Sequence, residues 1–236
     1  MHGGSAAAMI QENTRMRPFY RAWRGLGRAF FAAVFRVRVE GMEHVPREGG
    51  YIVSLNHTSI FDPPLVGTIV PIEMRFMAKR ELFTFFPPFG RLLLAVGAIP
   101  IDRGEADRRA VRQCVEALRA GYPLSVFPEG TRNVAARGRP RAGAAFLALH
   151  AHVPVLPGAI LAPYRVGQPL WVRFGPPIGW RDLASDGAEG EGRADSGHAR
   201  LERLSARIMR EIERIHAELA RDHGTSGAKR AHDRTN

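Results

Sequence analysis

From Val37 onward, apolar runs of about five residues alternate with longer stretches whose apolar positions recur every three to four residues. The first pattern suits strands and the second suits helices, so their alternation predicts a sheet joined by crossover helices. Strands are predicted at Tyr51–Leu55, Arg75–Ala78, Ala98–Asp102, Leu124–Phe127, Val153–Pro157 and Leu170–Phe174. Helices are predicted near Glu81–Phe85, Arg91–Val96, Glu105–Arg119 and Ala142–His150, the third with Val111, Val115 and Leu118 on one face. The expected fold class is α/β: a single domain with a central, mostly parallel or mixed β-sheet flanked by helices.

Two segments outside this alternation are amphipathic. Phe19, Trp23, Leu26, Phe30 and Val34 recur at helical spacing, with Arg17, Arg21, Arg24 and Arg28 on roughly the opposite side. They predict a basic amphipathic helix over residues 18–36. Such a helix can lie on anionic lipid as a membrane-surface helix, or pack on its own domain with solvated arginines; the stretch itself fits both readings. Leu201, Leu204, Ile208, Ile212, Ile215 and Leu219 mark a second amphipathic helix near the carboxyl terminus. Between Asp182 and Ala199 the chain turns to Gly, Ala, Ser and acidic residues with no apolar period, which reads as a loop or disordered insertion. The expected organisation is a flexible N-terminus with the basic helix (1–36), the α/β domain (37–181), the insertion (182–199), a docked C-terminal helix (200–222) and a tail (223–236).

Composition narrows the chemistry. The chain has 236 residues, with 34 Lys and Arg against 23 Asp and Glu, a formal charge of +11. Its single cysteine, Cys114, excludes a disulfide framework and a cysteine-based zinc cluster, and its place between Val111 and Val115 marks it as a packed residue. The first fourteen residues lack the apolar stretch of an export signal, and the longest apolar run, Leu92–Ile101, is about half of what crosses a bilayer. The expected location is the cytoplasmic side of the cell membrane, held peripherally, with no transmembrane segment. A basic surplus commonly meets phosphate on nucleic acid, on anionic lipid or on a substrate.

Three polar clusters directly follow predicted strands: Asn56 to Asp62, Gly97 to Arg103, and Phe127 to Arg132. In open α/β sheets, ligands bind beyond the carboxyl ends of the strands, so these clusters imply one shared site. His57 and Asp62 are five residues apart, a spacing that neither a regular helix nor a strand brings together. A turn must do it, and a one-turn helix ending at Asp62, with Pro63 after it, is the expected device. An imidazole held by a carboxylate is a general base. The same residues also serve simply as turn formers, with His57 an ordinary satisfied histidine. Arg103, Arg132 and Lys79 are candidate phosphate ligands, joined by backbone N–H groups at Gly130 and Thr131, while Glu129 can equally form a structural ion pair with Arg132. No metal site is expected, since HExxH is absent and His150 with His152 lacks a third ligand. Nucleotide loops of the form GxxxxGK[ST] or strand-linked GxGxxG are absent too, and Ser59 sits in no G-x-S-x-G elbow.

These clusters resemble the four motifs of the 1-acylglycerol-3-phosphate acyltransferase family of phospholipid synthesis. Asn56-His57-Thr58-Ser59-Ile60-Phe61-Asp62 is similar to the first motif, Gly97 through Arg103 to the second, Phe127-Pro128-Glu129-Gly130-Thr131-Arg132 to the third, and Val153-Pro154-Val155-Leu156-Pro157 to the fourth. The resemblance covers about residues 40–180, with Asn133 where the family commonly carries Ser. It implies transfer of an acyl group from acyl-CoA or acyl carrier protein to the hydroxyl of a lysophospholipid acceptor, above all lysophosphatidate, with no cofactor beyond the thioester. It also implies that His57 is the base, that Asp62 orients it, that Lys79, Arg103, Glu129, Gly130, Thr131 and Arg132 shape the phosphate pocket, and that Val155 and Pro157 lie on the acyl-donor or oxyanion side. A lyso-ornithine lipid is the alternative acceptor. A non-catalytic nucleic-acid module is the competing class; the carboxylates in the strand-end clusters and the aromatics gathered on one helix face weigh against it, so nucleic acid is not an expected partner.

Overall fold

The computed structural model describes residues 16–102, 107–128, 142–186 and 197–224. Within them run α1 (Pro18–Phe35), β1 (Val37–Glu40), β2 (Ile52–Leu55), α2 (Asp62–Ile69), β3 (Arg75–Lys79), α3 (Glu81–Phe85), α4 (Pro87–Ala95), β4 (Ala98–Ile101), α5 (Arg108–Arg119), β5 (Leu124–Ser125), α6 (Gly143–Ala151), β6 (Val155–Leu161), β7 (Leu170–Phe174), α7 (Trp180–Asp186) and α8 (Gly197–His223). The strands form one seven-stranded sheet in the order β1-β7-β6-β2-β5-β3-β4, parallel at every pairing except β6 with β7. The expected α/β class with a mixed sheet is what the chain adopts.

The central strands are apolar on both sides because helices cover both faces: every residue of β2 is buried, and so is β6 up to Ile160. One core joins Cys114 and Leu118 of α5, Leu147 and Ala148 of α6, and Leu204, Ile208 and Ile212 of α8. The other joins Phe31 and Phe35 of α1 and Leu65 and Val66 of α2 to Val53, Leu55, Leu156 and Ile160 of the sheet. Burial pushes the Cys114 thiol up to about 12, as befits a packed side chain. Gly97, between α4 and β4, has φ +89°, and a Cβ there would lie 2.6 Å from Arg75 Nη1, so this turn needs glycine.

Helix α1 starts at Pro18, where a missing N–H costs nothing, and ends at Arg36 in the left-handed conformation. The face it docks is not its aromatic stripe. Tyr20, Phe31 and Phe35 are buried, Gly27 comes close enough to α2 that a Cβ would meet Thr68 Cγ2 at 2.7 Å, and half-buried Arg24 donates to the Ile69 carbonyl. Phe19, Trp23, Leu26 and Phe30 are exposed. The docked face carries rings at Tyr20, Phe31 and Phe35, and Gly27 between them permits the close approach to α2. The start of α1 is pinned by buried Glu73, which accepts from Arg17 N and Nε and from Arg75 Nη1.

Other boundaries also differ from expectation. No helix ends at Asp62; α2 begins there, because Pro63 and Pro64 occupy its first turn, where prolines start helices rather than stop them. Residues 182–186 belong to α7, held by fully buried Leu183, and α8 begins at Gly197, so of the expected insertion only residues 187–196 lie outside the described residues. His223 is not the first residue of a tail. It stacks on Trp171 at 3.5 Å and its Nε2 lies 2.8 Å from Glu40 Oε1, while Arg173 bridges Glu40 and Asp222.

Leu65 is fully buried between α2 and the sheet. Leu65→Ala is expected to cost about 2–5 kcal/mol, measured by urea denaturation, and a loss under about 1 kcal/mol would mean that α2 is not a packed part of this core.

Candidate active site

Backbone pairing between β2 and β6 stops at Leu55 opposite Gly158. Asn56 prolongs it with a side chain: its Nδ2 donates to Ile160 O at 3.0 Å and its Oδ1 accepts from Ile160 N at 2.8 Å. An amide side chain offers both a donor and an acceptor, so it substitutes for a backbone unit and frees the chain to turn at His57. Residues 57–61 cross the strand end and α2 follows.

Asp62, at the start of α2, is fully buried. Its Oδ2 accepts from Thr58 N at 2.6 Å, from Ser59 N at 2.8 Å and from His57 Nδ1 at 2.8 Å, and its Oδ1 accepts from Tyr164 Oη at 2.5 Å. Four donors compensate for the loss of water around the charge, and the amino end of a helix adds to them. A carboxylate only accepts, so in the neutral imidazole the proton lies on Nδ1 and the lone pair on Nε2. The His57 side chain keeps 12% exposure, and Phe127 stacks on its ring at 4.2 Å and 21°, which fixes the plane of the imidazole. Thr58 Oγ1, in the same turn, is buried without a hydrogen-bond partner among the described residues. An imidazole oriented in this way by a buried carboxylate can serve as a general base.

The structure thus joins His57 and Asp62. Lys79 is exposed at the end of β3, two strands or about 10 Å along the sheet from β2. Arg103, Glu129, Gly130, Thr131 and Arg132 lie outside the described residues. Val155 and Pro157 do not reach this turn. Val155 pairs with Ile52 at the far end of β2 and its N–H donates to Ile178 O, while Pro157 has no N–H and its carbonyl accepts from Gly175, so neither offers a donor to a thioester oxygen. Asp102 of the second cluster is engaged by Arg80, whose Nε lies 2.7 and 2.8 Å from its two carboxylate oxygens. Among the described residues, no group of three or more His, Cys, Asp or Glu is placed to hold a metal ion.

Tyr164 is the residue that the sequence pattern missed. It lies 102 positions from Asp62, after β6, in a polar loop without periodicity. Burial, with the Asp62 charge and the hydrogen bond to it, pushes its phenol far above the usual range, so it stays protonated and donates. Its ring joins Phe35 and Phe61, themselves in contact with Phe30 and Phe31, in an aromatic cluster that closes one side of the site.

Comparison with known proteins agrees with this geometry. The acyltransferase family model matches residues 36–161, from the start of the sheet to the end of β6. The chain is 29% identical over 128 residues to the 1-acyl-sn-glycerol-3-phosphate acyltransferase of Bacillus subtilis, covering 54% of this chain and 63% of that protein. It is 33% identical over 165 residues to the 1-acyl-sn-glycerol-3-phosphate acyltransferase of Limnanthes douglasii (64% and 57%), and 38% over 107 residues to the lyso-ornithine lipid O-acyltransferase of Pseudomonas aeruginosa (45% and 39%). The matches therefore span less than two thirds of each relative's length. The crystal structure of the 1-acyl-sn-glycerophosphate acyltransferase of Thermotoga maritima superposes with a TM-score of 0.60 at 24% identity, over 89% of this chain and 87% of that one, and shares its fold.

Tyr164→Phe removes one of the four donors around Asp62 and keeps the ring. It is expected to lower stability by about 1.5–3 kcal/mol, read from urea denaturation; an unchanged midpoint would show that the Asp62 charge does not depend on this hydrogen bond.

Proposed function

We propose that this chain, which belongs to the acyltransferase family, moves a fatty acyl group from acyl-CoA or acyl carrier protein to the free hydroxyl of 1-acylglycerol-3-phosphate, giving phosphatidate. The observation that carries the reading is the contact between His57 Nδ1 and the buried carboxylate of Asp62 at the carboxyl end of β2. Nε2 takes the proton of the acceptor hydroxyl as that oxygen bonds to the thioester carbonyl carbon. The tetrahedral intermediate then expels the thiolate: the carbon–sulfur bond breaks, the ester remains, and the imidazolium returns its proton to the sulfur. Asp62 holds the tautomer and stabilises the imidazolium, and Thr58, Ser59 and Tyr164 hold Asp62 in turn. Lys79, Arg103, Thr131 and Arg132, with Glu129 and Gly130 shaping the loop, bind the acceptor phosphate and keep the hydroxyl in line with the thioester. The exposed face of α1, flanked by Arg21 and Arg28, rests on an anionic membrane surface as a peripheral contact; among the described residues no helix is long and apolar enough to cross a membrane.

A second acceptor is a lyso-ornithine lipid, favoured by the 38% identity to the Pseudomonas aeruginosa enzyme named for that lipid. The deciding experiment gives the purified protein acyl-CoA or acyl carrier protein thioesters with a panel of lysolipids. Turnover is expected to be highest with lysophosphatidate and to fall about 10²–10⁴-fold in His57→Ala without loss of the cooperative melting transition. Full turnover in His57→Ala would refute the base, and preference for the lyso-ornithine lipid would move the acceptor. Arg132→Ala is expected to raise KM for lysophosphatidate about tenfold or more, the loss of one charge-assisted contact, with kcat little changed, and an unaltered KM would move the phosphate site elsewhere.

A further inference from the structure

The segment after β3 is unusual for a folded surface. Residues 82–95 read LFTFFPPFGRLLLA, and Leu82, Phe85, Phe86, Phe89 and Leu94 are all exposed, Phe85 at 90% and Phe86 at 56%. Isolated exposed apolar residues are ordinary, but five on one short helical corner form a patch that calls for an occupant. The corner is built, not loose: Gly90 N donates to the Phe86 carbonyl, and Gly90 lies so close to the Phe83 backbone that no Cβ fits. The turn between α3 and α4 therefore presents Phe85, Phe86 and Phe89 outward by design of the backbone.

Three observations identify what covers the patch. It continues a surface already exposed, since right-handed crossovers place α2 and α4 on one face of the sheet, where α1 also docks. Arg17 at the start of α1 donates to the Ala95 carbonyl at the end of α4, and Phe30 near the other end of α1 meets Phe61, five residues from Asn56 and four from His57, at a centroid distance of 6.5 Å. The exposed aromatics of α1, exposed Ile60 and Phe61 of the site turn, and the α3–α4 corner thus border one side of the molecule. Finally, its fringe is basic: Lys79, Arg80 and Arg91 stand against the single acid Glu81 between residues 79 and 95, although Arg80 is also engaged by Asp102 and Asp107. Apolar aromatics ringed by cations complement an anionic bilayer surface, with rings at the level of the acyl chains and cations at the headgroups.

We infer that the α3–α4 corner is a second membrane-contact element, inserting Phe85, Phe86 and Phe89 into an anionic bilayer beside α1, so that the molecule rests on two points with the His57 turn between them. The inference rests on the lipid-acyltransfer reading for its purpose, and on the exposed surface for its existence. Two contacts fix the tilt of the domain on the bilayer, where one helix alone would leave it free to rotate.

The test is flotation of the full-length protein with vesicles of phosphatidylcholine and phosphatidylglycerol, with no substrate present. Replacing Phe85, Phe86 and Phe89 together by Ser is expected to lower partitioning by at least about tenfold, with the melting transition and turnover on detergent-dispersed substrate retained. Phe85→Ser alone, at a side chain too exposed to matter for folding, is expected to lower it about threefold and decides the matter if the triple variant does not fold. Unchanged partitioning in the folded variants overturns the inference. So does a wild-type dimer that dissociates in the triple variant without vesicle binding, which assigns the patch to self-association, and so does a variant that still floats but loses dispersed-substrate turnover, which assigns it to substrate passage. If the wild type floats and the variants do not while no lysolipid is acylated, the contact stands and the proposed reaction fails.

Discussion

A carboxylate sealed from water is tolerable only where donors replace the hydration it has lost, and Asp62 is sealed completely. Its four donors come from three places in the chain: the backbone of the 57–61 turn, the His57 ring and the Tyr164 hydroxyl beyond β6. Meeting the demand of one charge therefore fixes the turn after β2, the start of α2 and the loop after β6 at once. The imidazole is oriented as a by-product of the same requirement. The hydrogen bonds that hold the strand end and the one that orients the imidazole converge on one carboxylate.

The rest of the domain keeps that strand end in place. β2 lies near the middle of the sheet, with β6 on one side and β5 on the other, and the Asn56 amide carries the β2–β6 pairing one step past the point where the backbones part. Behind it, both faces are filled, by α1 and α2 on one side and α5, α6 and α8 on the other. The polar side chains at the end of β2 are thus borne by elements whose own positions are settled by apolar packing, which is what a site needs if angles and distances are to hold.

Much of this was legible in the sequence because the signals were local. The strands at Ile52–Leu55, Arg75–Lys79 and Leu170–Phe174 announce themselves as apolar runs, and the pairing of His57 with Asp62 was one of two readings of a spacing that only a turn can bridge. What was not legible depends on distant partners. Tyr164 is one tyrosine in a loop until the β6–β7 hairpin carries it to Asp62, a placement no window of sequence contains. The amphipathic pattern of α1 left open which side docks, because the choice belonged to Gly27, whose missing side chain allows α2 to approach. Val155 and Pro157 were misplaced for a related reason: a motif places residues in order, but only the register against β2 shows that these two lie below the strand end.

The exposed stripe on α1 then acquires a meaning that the amphipathic pattern alone did not supply. If Phe19, Trp23, Leu26 and Phe30 had docked instead, Tyr20, Phe31 and Phe35 would face outward, and the ring contact of Phe35 with Tyr164 would be lost. With the faces reversed, the aromatic cluster of Phe30, Phe31, Phe35, Phe61 and Tyr164 runs continuously from the buried carboxylate to the molecular surface, apolar throughout except for the hydroxyl that holds Asp62. From the hydroxyl of Tyr164, ring contacts pass through Phe61 to Phe30 and so to the exposed stripe of α1, which gives the turn carrying His57 an apolar border. Which side of one helix faces inward thus decides what surface the turn carrying His57 borders.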